Sequence, residues 1–223
     1  MLKKQLDLCI MILIKQGCEK MKIYDISQEV FSCTVYPGDP APYCKKENSI
    51  KDGDGYNLTS FSMCSHNGTH VDAPCHFIDS GYGVEKIPLE SCIGPCFVCC
   101  RDGIISDSDA KEIIKLAGEN SSRRILIKGD GILSEEGAEV FADSGILLIA
   151  SESQSIGPLN APAAVHKILL SENVVLLEGI RLNDVEEGHY FLSAQPLNLK
   201  GSDGSPCRAV LIDFENDKGE IFR

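Results

Sequence analysis

The chain has 223 residues, 43% of them apolar and 24% charged, a composition that suits a globular protein with a sizeable core. Its 21 Lys and Arg against 33 Asp and Glu give a formal charge of −12, which argues against a nucleic-acid backbone or an anionic membrane as partner, because both need clustered cations. A small molecule fits better, and bound divalent cations would offset part of the charge.

Residues 1–20 place a short apolar run, Leu8 to Ile14, after Lys3 and Lys4 and so imitate a signal peptide. The run is too short to span a bilayer, Asp7 interrupts its entry, and no small-x-small cleavage site follows. Met21 opens a strand-like start, so residues 1–20 are expected to be an extension outside the fold and residues 21–223 a single domain. Next come strand-like runs at Lys22–Gln28 and Asn57–Ser65, joined by a turn-rich stretch around Pro37-Gly38-Asp39-Pro40.

From about residue 94 apolar runs alternate with amphipathic stretches: Pro95–Cys100, Ser106–Leu116, Arg124–Lys128, Ser134–Phe141, Ile146–Ala150, Ala161–Leu170 and Val174–Ile180. This predicts repeated βα units around a parallel core. Ser106 and Ser134 are expected N-caps, and Pro162 suits the opening turn of a third helix. Phe191–Leu197 and Ala209–Phe214 add two later strands. Eleven cysteines are an odd count, and Cys92, Cys96, Cys99 and Cys100 lie in apolar runs, which points to buried thiols and a reducing cytoplasm. The spacing Cys92-x3-Cys96-x2-Cys99 is loosely metal-like, but with no partner pair it reads as core.

Three of the five histidines fall within eleven residues, in His66-Asn67-Gly68-Thr69-His70-Val71-Asp72-Ala73-Pro74-Cys75-His76. His66, His70, Asp72 and His76 share parity, so an extended chain would turn them to one face. Thr69 and Val71 favour a strand, whereas Gly68 and Pro74 disfavour a helix. A straight strand would hold the Cα atoms of His66 and His70 roughly 13 Å apart, so two ligands of one ion require a bend, which Gly68 permits. His70 and Asp72 can share a metal without distortion, whereas His76, past Pro74, suits a catalytic imidazole. The plain alternative is a solvated strand face of hydrogen-bonded polar residues.

Farther along, Val174-Val175-Leu176-Leu177-Glu178-Gly179-Ile180 sets one carboxylate in an apolar run. An unpaired buried carboxylate is very costly, so Glu178 needs a cation, either a metal or Arg181 or Arg208. His166, on the preceding helix, could join it.

The pattern His66-x-Gly-Thr-His70-x-Asp72-x-Pro-x-His76 resembles the signature of the cyclase family of metal-dependent hydrolases, which includes bacterial-type kynurenine formamidases and isatin hydrolases. Asp25-Ile26-Ser27, Tyr36-Pro37-Gly38-Asp39, Leu177-Glu178-Gly179 and Asp203-Gly204-Ser205-Pro206-Cys207-Arg208-Ala209 resemble further family segments in the same order. The resemblance implies an α/β fold of the swivelling β/β/α type, with a mixed, barrel-like sheet flanked by helices, assembled as a dimer or tetramer. It implies one divalent cation on His66, His70 and Asp72 and a second on Asp72, His166 and Glu178, zinc ahead of manganese, with His76 as general acid/base. Formamidases of this type carry Trp before Pro-Gly-Asp. Here Tyr36 takes that place as the expected substrate contact, which leaves the substrate open among small amides, formamides, lactams and lactones.

The expected mechanism is hydrolysis by a metal-bound hydroxide, the cations lowering the pKa of water to about 7 while His76 relays a proton. Two other readings share the residues: a non-catalytic structural zinc module, and a cyclase or dehydratase using the same site.

Overall fold

The computed structural model describes residues 21–121 and 123–214; the expected extension, residues 1–20, lies outside them. Alternation along the strands decides the architecture. On β5 (Ile93–Cys100), Cys96 and Val98 enter one apolar core while Phe97 and Cys99 enter another. Ile125 and Ile127 of β7 (Arg124–Lys128), Ile149 of β9 (Leu148–Ser151) and Leu176 of β10 (Val175–Glu178) join the second core. Their neighbours Leu126, Leu148, Ala150, Val175 and Leu177 join the first. Strands apolar on both faces must be covered on both, the condition of a buried parallel sheet.

The cover on one face comes from three helices, α2 (Asp107–Ser121), α3 (Glu135–Asp143) and α4 (Ala163–Ser171), and a short α1 (Leu89–Cys92) leads directly into β5. Ser134 caps α3, its hydroxyl accepting from the Gly137 N–H, and Ser106 accepts similarly from Asp109. Pro162 stands at the N-cap of α4.

The strand order is β1 (Met21–Asp25), β13 (Val210–Phe214), β11 (Gly188–Ser193), β5, β7, β9, β10, β4 (His70–Asp72) and β12 (Gly204–Pro206). The centre, β5-β7-β9-β10, is parallel. Antiparallel strands complete it: β1, β13 and β11 on one side, β4 and β12 on the other. The result is the mixed, curled sheet of a swivelling β/β/α fold. A separate hairpin pairs β2 (Tyr43–Asn48) with β3 (Leu58–Ser62), and β6 (Ile104–Ile105) pairs with β8 (Ile132–Leu133).

Cys92, Cys96 and Cys99 are buried free thiols, as expected of core. Cys100 is not: it ends β5, beyond the helical cover, and is exposed. Among the described residues no helix is long and apolar enough to cross a membrane.

Candidate metal centre

The pairing of β4 with β10 builds the site. In that register Glu178 lies opposite His70, Leu177 opposite Val71 and Leu176 opposite Asp72. Directly opposed residues share a face, so Val71 and Leu177 go to the first core while His70, Asp72 and Glu178 turn with Leu176 towards the helices. There α4 supplies His166, one residue beyond the core residue Val165.

The expected extended chain from His66 to His76 is confined to His70–Asp72. Before it the chain turns, with Gly68 at φ +68°, and a Cβ there would also stand 3.2 Å from Cys33 Cβ. That bend brings the His66 ring back to 5.0 Å from His70. After it Pro74–His76 form a 3-10 turn, which stacks His76 on His66 at 4.0 Å and 29°.

The geometry converges on Asp72. Its Oδ1 lies 2.9 Å from His66 Nδ1 and 3.4 Å from His70 Nε2, and its Oδ2 3.7 Å from His166 Nε2. Glu178 Oε1 accepts from the Ile156 N–H at 2.8 Å and lies 3.1 Å from His166 Nε2, and Oε2 lies 3.5 Å from His70 Nε2. Neither expected arginine reaches Glu178: Arg181 donates to the Glu152 and Ile180 carbonyls and to Thr34, and Arg208 pairs with Asp25.

Backbone carbonyls orient two of the rings. His70 donates Nδ1–H to Gly68 O at 3.0 Å, and His166 donates its own to Pro162 O at 2.9 Å, so each presents Nε2 to the carboxylates. Gln154, which the sequence reading did not single out, donates to the same Gly68 carbonyl at 3.0 Å and accepts from Gln28 Nε2 at 2.7 Å. Its signal was a polar run at the end of an apolar strand, Ser151-Glu152-Ser153-Gln154-Ser155.

Burial opposes the charged form of His70, yet Asp72 and Glu178 raise it to about 10. His66 and His166 are likewise raised against burial, by Asp72 and by Glu178 respectively. Asp72, despite burial, is held well below the usual carboxylate range by His66 and His70. Glu178 is also held low by His166 and His70, against burial and the charge of Asp72. His76 differs: burial pushes it down.

The cluster fits a cation on an observation of its own. Asp72 is 1% exposed, and its Oδ2 has no hydrogen-bond partner. Such an atom is expensive unless something positive meets it. Ligand atoms of His70, Asp72 and Glu178 lie within 4.8 Å of one another, as do those of His66, Asp72 and His76. Imidazole and carboxylate donors suit zinc or manganese. Tyr36 is partly buried and donates its hydroxyl to Leu159 O at 2.8 Å, on the loop leading to α4.

The family model described as "Putative cyclase" matches residues 24–158. The kynurenine formamidase of Salinibacter ruber is 31% identical over 86% of this chain and 98% of its own length. A predicted metal-dependent hydrolase from Bacillus stearothermophilus is 29% identical at a TM-score of 0.73, with 87% of this chain and 99% of that one covered. Isatin hydrolase A from Labrenzia aggregata, 20% identical, shares the fold at a TM-score of 0.77 over 95% of this chain and 100% of its own. This chain therefore belongs to the cyclase family.

Proposed function

We propose that this protein is a metal-dependent hydrolase of a non-peptide C–N bond in a small amide, formamide or lactam, with lactones as the oxygen counterpart. The observation that carries this reading is the buried Asp72–Glu178 pair among three imidazoles, with no hydrogen bond to Asp72 Oδ2. The named relatives and their activities support it.

His66, His70 and Asp72 would hold one cation and Asp72, His166 and Glu178 a second, zinc or manganese. When bound, such cations lower the pKa of a water and polarise a carbonyl oxygen. His76 would stay outside both ligand sets, stacked on His66, with burial favouring its neutral imidazole. It can therefore take a proton from the attacking water and return it to the leaving nitrogen as the C–N bond breaks. Tyr36, whose hydroxyl donates to Leu159 O, would offer a ring face to an aryl substrate. A structural zinc module would close four ligands around its ion and need no acid/base, whereas hydrolysis needs a group such as His76, 27% exposed, that a substrate can reach.

Assembly as a homo-oligomer has a candidate surface in the β2–β3 hairpin, where Tyr43 and Phe61 are 64% and 62% exposed. Light scattering after gel filtration reads that state directly. The test of function is a screen of formanilide, N-formylkynurenine, isatin and simple lactones on native, chelator-stripped and zinc- or manganese-restored protein. Turnover lost on stripping and restored by metal is expected; full turnover of metal-free protein contradicts the reading.

A further inference from the structure

The three histidines assigned as ligands are not held alike. His70 and His166 each give Nδ1–H to a backbone carbonyl, which fixes the ring and leaves Nε2 for the carboxylates. His66 instead meets carboxylates at both nitrogens: Nδ1 lies 2.9 Å from Asp72 Oδ1 and Nε2 3.2 Å from Asp203 Oδ2. We propose that Asp203 is the positioning residue of His66, accepting its Nε2–H so that Nδ1 is presented beside Asp72. Asp203 would thus do for His66 what the Gly68 and Pro162 carbonyls do for the other two rings. The inference rests on the metal-dependent reading above and assigns a role to a residue outside both ligand sets.

Asp203 is itself held for this task. Its Oδ1 accepts from Ser65 Oγ at 3.0 Å, and its backbone carbonyl accepts from the Ala73 N–H at 2.9 Å. The next residue, Gly204, pairs with Asp72 across the β4–β12 ladder. Gly204 is also packed against the ring that Asp203 orients, since a Cβ there would stand 2.5 Å from His66 Cε1. The segment 203–204 therefore brackets His66 by one hydrogen bond and one close backbone approach. Asp203 Oδ2 also lies 3.5 Å from His76 Nδ1, so one oxygen faces both a proposed ligand and the proposed acid/base.

Burial does not account for these contacts. The Asp203 side chain is 47% exposed and could be satisfied by water, yet Oδ2 turns to His66 and His76 while Ser65 holds Oδ1. A carboxylate behind a metal-bound imidazole fixes the tautomer and raises ligand basicity, and losing one typically costs 10–100-fold in metal affinity.

The test compares zinc and manganese affinity, by competition with a chromophoric chelator, in wild type, Asp203→Ala, Asp203→Ser and Asp203→Asn. Imidazole 15N spectra of the zinc-loaded proteins are read alongside. Alanine and serine cannot reach His66 and should lose about 10–100-fold in affinity, with the His66 ring exchanging between tautomers. Asparagine keeps an acceptor oxygen and should recover most of both readouts, which a purely structural role for the charge would not predict. Asp203→Ser repeats the test should the alanine variant fail to fold. Wild type that binds neither metal overturns the metal reading and this inference together. Wild type that binds metal, beside alanine and serine variants that bind it equally well with one His66 tautomer, overturns this inference alone.

Discussion

Strands β4 and β5 both carry metal-ligand side chains at close spacing, and the pleat of the sheet gives them opposite fates. On β4, His70 and Asp72 are two residues apart, share a face and meet Glu178 from β10 and His166 from α4. On β5, Cys96 and Cys99 are three apart and enter different cores, so no single ion could bind both. Burial lifts Cys99 to about 12 and Cys96 higher still, which leaves thiols rather than thiolates. Among the described residues, the clusters able to hold a metal contain no cysteine. Parity and a shared carboxylate, not the count of donors, separate a site from a core.

The largest expected effect comes from removing that carboxylate. Asp72→Ala should abolish turnover and weaken zinc binding by more than the ~100-fold typical of an outer partner, as isothermal titration would read. Retained affinity would break the comparison at its centre. His76→Ala should lower kcat by about 10²–10⁴-fold while metal content stays at the wild-type level, a split that kinetics and elemental analysis together resolve.

A third test uses pH. In metal-free protein His70 is raised to about 10, above its ordinary unfolded value near 6.5. A raised folded pKa contributes stability that is complete below about 6.5 and is lost as pH climbs through about 10. The melting temperature of stripped protein should therefore fall across that window, and zinc-loaded protein, whose imidazoles are neutral ligands, should fall less. Equal slopes would contradict the ligand assignment. The smallest effect belongs to β5: Cys99→Ala should cost about 1–2 kcal/mol of stability in urea titration and leave metal binding unchanged.

How much of this was legible in the sequence follows from what each element depends on. Arg124–Lys128 and the helix capped by Ser134 were readable because pattern and capping are local. The bend at Gly68 was readable from the reach a shared ion demands. β2 was not, since Tyr43–Asn48 is exposed along almost its whole length and carries no burial pattern. β12 was not, since Gly204-Ser205-Pro206 has little intrinsic strand preference and exists by pairing with β4. Asp203 reads in the sequence only as part of a family-like segment, because its proposed role depends on a contact with His66 from the far end of the chain. The histidine motif showed which residues could be ligands; the β4–β10 register showed which carboxylate faces them.

The most direct test of the central claim is native mass spectrometry of wild type beside Asp72→Ala, each loaded with excess zinc and desalted. Wild type should carry two zinc ions per chain and the variant none. Equal zinc on both chains, or none on either, would contradict the claim.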